Sequence, residues 1–268
     1  MDVLKRLEEH KQVLEEKGYE VVGIFLYGSQ NYGVDTNNSD VDSKAIVLPT
    51  FESIIRGSDM ISRSVNMGNG ETCDVKDIRE MFTNFLKQNI NFTEMLFTDY
   101  KIINEKYKDE MELLIKSRDK IITYNQIKLM NCIKGMSYNK LHLLKTDTER
   151  THDDIVKYGY SPKEFHHIHR LNEFITRLIK GETFEECLKS SVPKFLKTLK
   201  TSPMLNNSDD VIGVVANKLV EDTKKKADDF IKNHVIDSKN KEEVESIFYE
   251  IKFNCIKKFI LEQEGIEV

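Results

Sequence analysis

Nothing in this 268-residue sequence offers a thiolate metal cluster, a membrane span or a broadly basic face. The four cysteines (Cys73, Cys132, Cys187 and Cys255) are widely spaced and form no CxxC pair. That disfavours a zinc site and suits free thiols in a reducing cytosol. No apolar run reaches the roughly 18–20 residues that a spanning helix needs. Residues 1–20 are amphipathic and charged, so neither a secretory leader nor a membrane anchor is expected there. A net charge of −5 gives no general nucleic-acid footprint, and no DNA sequence reader is expected; any such contact must come from a local patch. Internal repeats and low-complexity linkers are also missing. What remains, at 39% hydrophobic and 32% charged, suits a globular cytoplasmic protein with one large domain or two modest ones.

The informative stretch is residues 21–48, VVGIFLYGSQNYGVDTNNSDVDSKAIVL. An apolar run from Val21 to Tyr27 ends in Gly28-Ser29. A polar loop follows, then Ser39-Asp40-Val41-Asp42 and a second apolar run, Ala45 to Leu48. This reads as strand, tight turn, loop and strand. Side chains alternate along a strand, so Asp40 and Asp42 point one way and Val41 points to the core. Two carboxylates on one face near a small-residue turn suit a hard divalent cation carrying a phosphate chain.

Elsewhere the pattern predicts a helix over 2–17 and a short helix over 51–56. Strands over 60–67 and 71–76 flank Gly68-Asn69-Gly70, a hairpin signal. Asp77 to Glu80 has capping-box spacing and opens a helix with Ile78, Met81, Phe82, Phe85 and Leu86 in period. Another short helix is expected over 92–98. Beyond about residue 105 only helices are expected: 107–117, 120–145, 161–180, 182–190, 208–234 and 240–263. The segments 146–160 and 199–208 read as polar loops. The fold expected is α+β, with a small mixed-sheet domain over 1–105 and an all-helical domain over 106–268 that closes a nucleotide cleft.

Gly28-Ser29, ten residues, then Asp40-Val41-Asp42 resembles the signature of the DNA polymerase β-type nucleotidyltransferase superfamily. The run LYGSQNYGVDTNNSDVD is most similar to stand-alone bacterial and phage members, with a Tyr-Gly-Ser turn, a second Tyr-Gly and Ser-Asp-x-Asp. Weaker similarity continues through DVKDIREMFTNFLKQNINFTEMLF and GYSPKEFHHIHRLNEFITRLIKGE, so that it covers roughly residues 20–185. The resemblance implies a polymerase β-like domain, an NTP as donor and Mg2+ or Mn2+ as cofactor. Asp40 and Asp42 would bridge the ions, and Gly28 and Ser29 would meet the triphosphate. A third carboxylate would activate the acceptor hydroxyl and complete the metal set. Glu71, Cys73, Val75 and Asp77 share one strand face; Thr72, Asp74 and Lys76 share the other. Cys73 and Val75 belong in the core, so Asp74 is preferred over Glu71.

The helix predicted over 161–180 begins Ser161-Pro162-Lys163-Glu164, with Ser as cap and Pro at the first position. Phe165, Ile168, Leu171, Ile175 and Leu178 form its apolar stripe. Lys163, His167 and Arg170 lie beside it, and the resemblance carries a phosphate-clamping role onto these three. Lys140 on the preceding helix is a further candidate. His166, His167 and His169 point in different directions on a helix and read as a surface cluster rather than a ligand set. Tyr27, Tyr32 and Tyr138 are candidates for base stacking beside ordinary packing. Lys224-Lys225-Lys226 reads as a solvated face. The acceptor is open: a small molecule, an RNA or tRNA 3′ end, a protein hydroxyl, or none, if the chain is a non-catalytic antitoxin-like regulator.

Overall fold

The computed structural model describes residues 2–35, 39–57, 60–68, 70–205 and 210–263. The fold is α+β, with one five-stranded mixed sheet and many helices. It divides into two compact units: residues 1–28, 39–125 and 236–268 form the first, and residues 29–38 and 126–235 form the second. The boundary expected at residue 105 therefore falls inside the first unit. The loop that follows Gly28 belongs to the second unit, and the C-terminal stretch returns to the first.

In the first unit, α1 (Val3–Glu16) is capped by Asp2, whose carboxylate accepts the Lys5 N–H. Strand β1 (Val21–Tyr27) is apolar along most of its length, as befits a central strand covered on both faces. Strand β2 (Asp42–Val47) pairs with it antiparallel. After α2 (Phe51–Arg56) come β3 (Ser62–Gly68) and β4 (Glu71–Asp77), an antiparallel hairpin whose turn residue Asn69 lies outside the described residues. Strand β4 runs parallel to β2. Helices α3 (Ile78–Leu86) and α4 (Ile90–Thr93) follow, then a 3-10 turn over Glu94–Phe97. Strand β5 (Lys101–Ile103) closes the sheet, giving the order β3-β4-β2-β1-β5. Helices α5 (Lys108–Lys116) and α6 (Arg118–Thr123) complete this part of the chain.

The second unit holds α7 (Gln126–Leu143), α8 (His152–Tyr158), α9 (Pro162–Leu178), α10 (Phe184–Leu188), α11 (Pro193–Thr201) and α12 (Val211–Lys232). Helices α7, α9 and α12 pack on one another. Leu144, Tyr160, Phe165, Ile168, Ile212, Ala216 and Val220 form a core cluster there. Helix α13 (Ser238–Gln263) then rejoins the first unit against α3, α5 and α6, where Phe248 meets Phe82 with ring centroids 4.5 Å apart.

The sheet's core face is built by α1. Leu7 and Leu14 are fully buried against Ile24, Leu26, Ala45, Val47, Cys73 and Val75. Burying each leucine contributes about 1.5–3 kcal/mol. Period-2 alternation then sends Asp42 and Lys44, and Thr72, Asp74 and Lys76, to the opposite face.

Several expectations need correction. The helix expected over 120–145 is two helices, α6 and α7, interrupted near Tyr124. Helix α8 stands where a polar loop was expected, and α11 fills residues to which no element was assigned, reaching into the loop expected over 199–208 only with its last residues, up to Thr201. Strand β5 was not anticipated, because three residues are too few to display alternation. The capping box expected at Asp77 is only half formed, and the Ser161 cap likewise lacks a reciprocal bond from the residue three further on. Asp77 caps α3 and Ser161 caps α9, but Glu80 binds Asn84, and Glu164 pairs with Lys140. A complete box occurs instead at Thr183 and Glu186, opening α10.

Candidate functional site

On the site face of the first unit, Asp42 stands at the start of β2, paired across β1 with Tyr27. Gly28 comes next, with φ +94, a conformation that favours glycine. A Cβ placed there would meet nothing within 4 Å, so the bend is open. Asp40 is exposed, Val41 is buried and Asp42 is half-buried. Thr72, opposite Asp42 on β4, donates its hydroxyl to Asp42 Oδ1 at 3.0 Å. Residues 36–38 of the intervening motif lie outside the described residues.

Asp74 shares this face, opposite Lys44. Its carboxylate is held between two ammonium groups, Lys44 Nζ at 3.5 Å and Lys76 Nζ at 3.3 Å. Lys44 is nearly inaccessible; its Nζ lies 3.7 Å from the centre of the Tyr27 ring and 4.3 Å from that of Phe92. Burial lowers the Lys44 pKa, against the pull of Asp74 and Glu94. Burial, then the carboxylates Asp42, Asp74 and Glu94, push the Tyr27 hydroxyl well up. Lys44 was missed in the sequence, although its position two residues after Asp42 placed it on this face.

Glu71 faces the other way, into the core. It accepts from Arg6 Nε at 3.0 Å, meets His10 Nε2 at 3.0 Å and accepts the Val41 N–H at 3.4 Å. His10 in turn meets Ser43 Oγ at 3.0 Å. Burial raises the Glu71 pKa, but the bonds from Arg6, His10 and Val41 outweigh it and hold the carboxyl below its ordinary value. Glu71 thus braces the backbone between the two aspartates. Among the described residues no three carboxylates, imidazoles or thiols are grouped to hold a metal ion. The expected three-acid metal set is therefore not preassembled: Asp74 is engaged by lysines, and the open donors are Asp40 and Asp42.

In the second unit, Lys163, His167 and Arg170 do not form an evenly solvated stripe. Lys163 is exposed, His167 is half-buried and Arg170 is 5% exposed. The Arg170 guanidinium lies 3.5 Å from the centre of the Tyr32 ring, and its Nε is buried without a hydrogen-bond partner. Tyr32, from the motif's second Tyr-Gly, is itself 4% exposed. Lys140 Nζ lies 2.9 Å from Glu164 Oε2. Ser29 starts the loop within this unit, its carbonyl accepting the Tyr32 and Val34 N–H groups.

The histidines are not a surface cluster. His166 is buried, with Nδ1 bonded to the Leu196 carbonyl of α11 at 2.9 Å. Burial lowers its pKa to about 4, helped by Lys200, Arg170 and His169. His167 is lowered well below its ordinary value by burial and by His166, Arg170, Lys140 and Lys163. His169 sits edge-on between Phe165 and Phe195. Helical periodicity alone hid this, because α11 supplies the cover. Tyr138 donates to Glu221 at 2.9 Å, and Lys226 pairs with Asp222, as on an ordinary helix surface.

No family model matches this chain, and no curated protein matches it.

Proposed function

We propose that this protein is a nucleotidyltransferase that moves a nucleoside monophosphate from an NTP to an acceptor hydroxyl. The observation that carries the reading is the sheet face of the first unit. There Asp42 and Asp74 stand on neighbouring parallel strands, beside the open Gly28 bend. Asp40 and Asp42 are hard oxygen donors, one exposed and one half-buried. That fits Mg2+, which characteristically takes one or two carboxylates and fills its shell with water and substrate phosphates. When bound, the ion supplies charge stabilisation to the attacking and leaving oxygens.

The chain's own groups do the rest. Asp74, oriented by Lys44 and Lys76, receives the acceptor hydroxyl's proton on its carboxylate. The freed oxygen attacks the α-phosphorus, the bond to the bridging oxygen breaks, and pyrophosphate departs. Gly28 leaves the backbone free to approach the phosphates. In the second unit, Lys163, His167, Arg170 and Lys140 are donors of the kind that phosphate oxygens take, with Ser29 as a further donor. His167 is one as a neutral imidazole, since burial disfavours its proton.

The test pairs Asp40→Ala with Asp42→Ala in one chain. Each α-labelled NTP is incubated with Mg2+ or Mn2+ and a cell extract, and the label is sorted into RNA, protein and small-molecule fractions. The wild type should label one fraction; the double variant should label none while melting as the wild type does. Undiminished labelling by the variant ends the assignment.

A further inference from the structure

We infer that Lys200, on α11, completes a cationic nest in the second unit that binds a polyphosphate chain through its oxygens alone. The inference deepens the role given above to Lys163 and Arg170 and rests on it. The nest is made by the docking of α11 on α9. His166 anchors the Leu196 carbonyl at 2.9 Å. Lys200 lies one helical turn beyond Leu196 and so on the same face of α11, towards α9. Four cations then surround the His166–His167 pair: Lys140, Lys163, Arg170 and Lys200. Burial lowers the Lys200 pKa, and Lys163 and Lys197 lower it further against Asp35.

Among the described residues, Lys140 alone of these four has an acid within ion-pair distance. Glu164 is taken by Lys140 at 2.9 Å, and Asp35 lies 4.0 Å from Lys197. Asp154 borders Lys163, and burial raises its pKa, disfavouring its charged form. Among the described residues no carboxylate lies within ion-pair distance of Lys163, Arg170 or Lys200. Independently, Arg170 is 5% exposed and keeps a buried Nε with no partner. A buried donor without an acceptor is costly, and clustered like charges are costly too. One ligand relieves both: a chain of phosphates, whose negative oxygens accept from several cations at once. Neutral His167 adds an N–H donor without adding repulsion, while His166 spends its one N–H on the Leu196 carbonyl.

Sodium tripolyphosphate, without metal or base, is the probe, titrated calorimetrically into the full chain. The wild type should bind it. Lys200→Met keeps the aliphatic stem and should weaken binding about tenfold or more, with an unchanged melting temperature. Lys200→Arg should restore most of the affinity. Asp40→Asn with Asp42→Asn should bind the probe as the wild type does. Equal affinity in Lys200→Met, or no binding by the wild type, overturns the inference. Binding that persists in a chain with no transfer activity towards any acceptor overturns the nucleotidyltransferase reading instead.

Discussion

Glu71 accepts the backbone N–H of Val41, the residue between the two aspartates, at 3.4 Å from behind the sheet. The same carboxylate holds Arg6 and His10 of α1. One buried acid therefore ties helix, strand and motif together. Glu71→Ala leaves Arg6 with Glu9 alone, takes the carboxylate from His10 and leaves the Val41 N–H in an apolar setting. Breaking such a pair costs about 3–5 kcal/mol. Urea denaturation should show that loss, and Glu71→Gln, which keeps an acceptor for Val41, should lose less. Equal losses for the two variants would mean that the bond to Val41 contributes nothing.

Gly28 carries φ +94 with open space where a side chain would start. Its glycine requirement is thus conformational and not steric. Gly28→Ala should cost about 1–2 kcal/mol, because only the backbone strain opposes it. On the proposed reading, it should also raise the KM for NTP more than it lowers kcat. A variant as stable as the wild type would show that the bend relaxes freely.

Much of this was legible from the sequence, and the gaps have physical causes. Alternation along β4 correctly sends Glu71 inward and Asp74 to the site face, because a single apolar pair, Cys73 and Val75, fixes the register of faces. The 3.6 period likewise finds α9 and its buried Phe165, Ile168, Leu171 and Ile175. Periodicity says nothing of what a neighbouring helix covers. His166 reads as a surface residue and Arg170 as a phosphate clamp beside the apolar stripe, yet α11 and Tyr32 bury them. Lys44 escaped notice, and Lys76 was placed on the Asp74 face without a role, because a lysine in a strand carries no motif. Helix α11 had a usable signal in Pro193 at its first turn. Helix α8 had two, Asp153 and Asp154 in its first turn and Gly159 in the left-handed conformation at its end.

The Arg170–Tyr32 stack lies in a desolvated setting, where a cation over an aromatic face contributes about 2 kcal/mol. Tyr32→Leu keeps most of the apolar volume and removes the π face. It should destabilise the chain by roughly 2–3 kcal/mol, the lost stack adding to imperfect repacking. Double-mutant cycles with Arg170→Met isolate the pair. A coupling energy near zero would show that the two side chains are merely adjacent.

Acid should loosen the second unit before it reaches the carboxylates. His166 is held at about 4 against an ordinary value of 6.5, with Lys200, Arg170 and His169 facing it. Below pH 6.5 the unfolded chain takes up a proton that the folded chain refuses until about pH 4. Stability therefore falls as pH falls through that window, and His166 alone accounts for at most about 3 kcal/mol of the fall. His167 and His169 are lowered too and act in the same direction. Glu71, also lowered, contributes only beneath its ordinary value of 4.5, so the two effects separate on the pH axis. His166→Asn keeps a donor for the Leu196 carbonyl and cannot titrate. Urea midpoints between pH 4.5 and 7.5 should then vary less steeply for the variant than for the wild type. Parallel pH curves would show that His166 takes up its proton in the folded chain as readily as in the unfolded one.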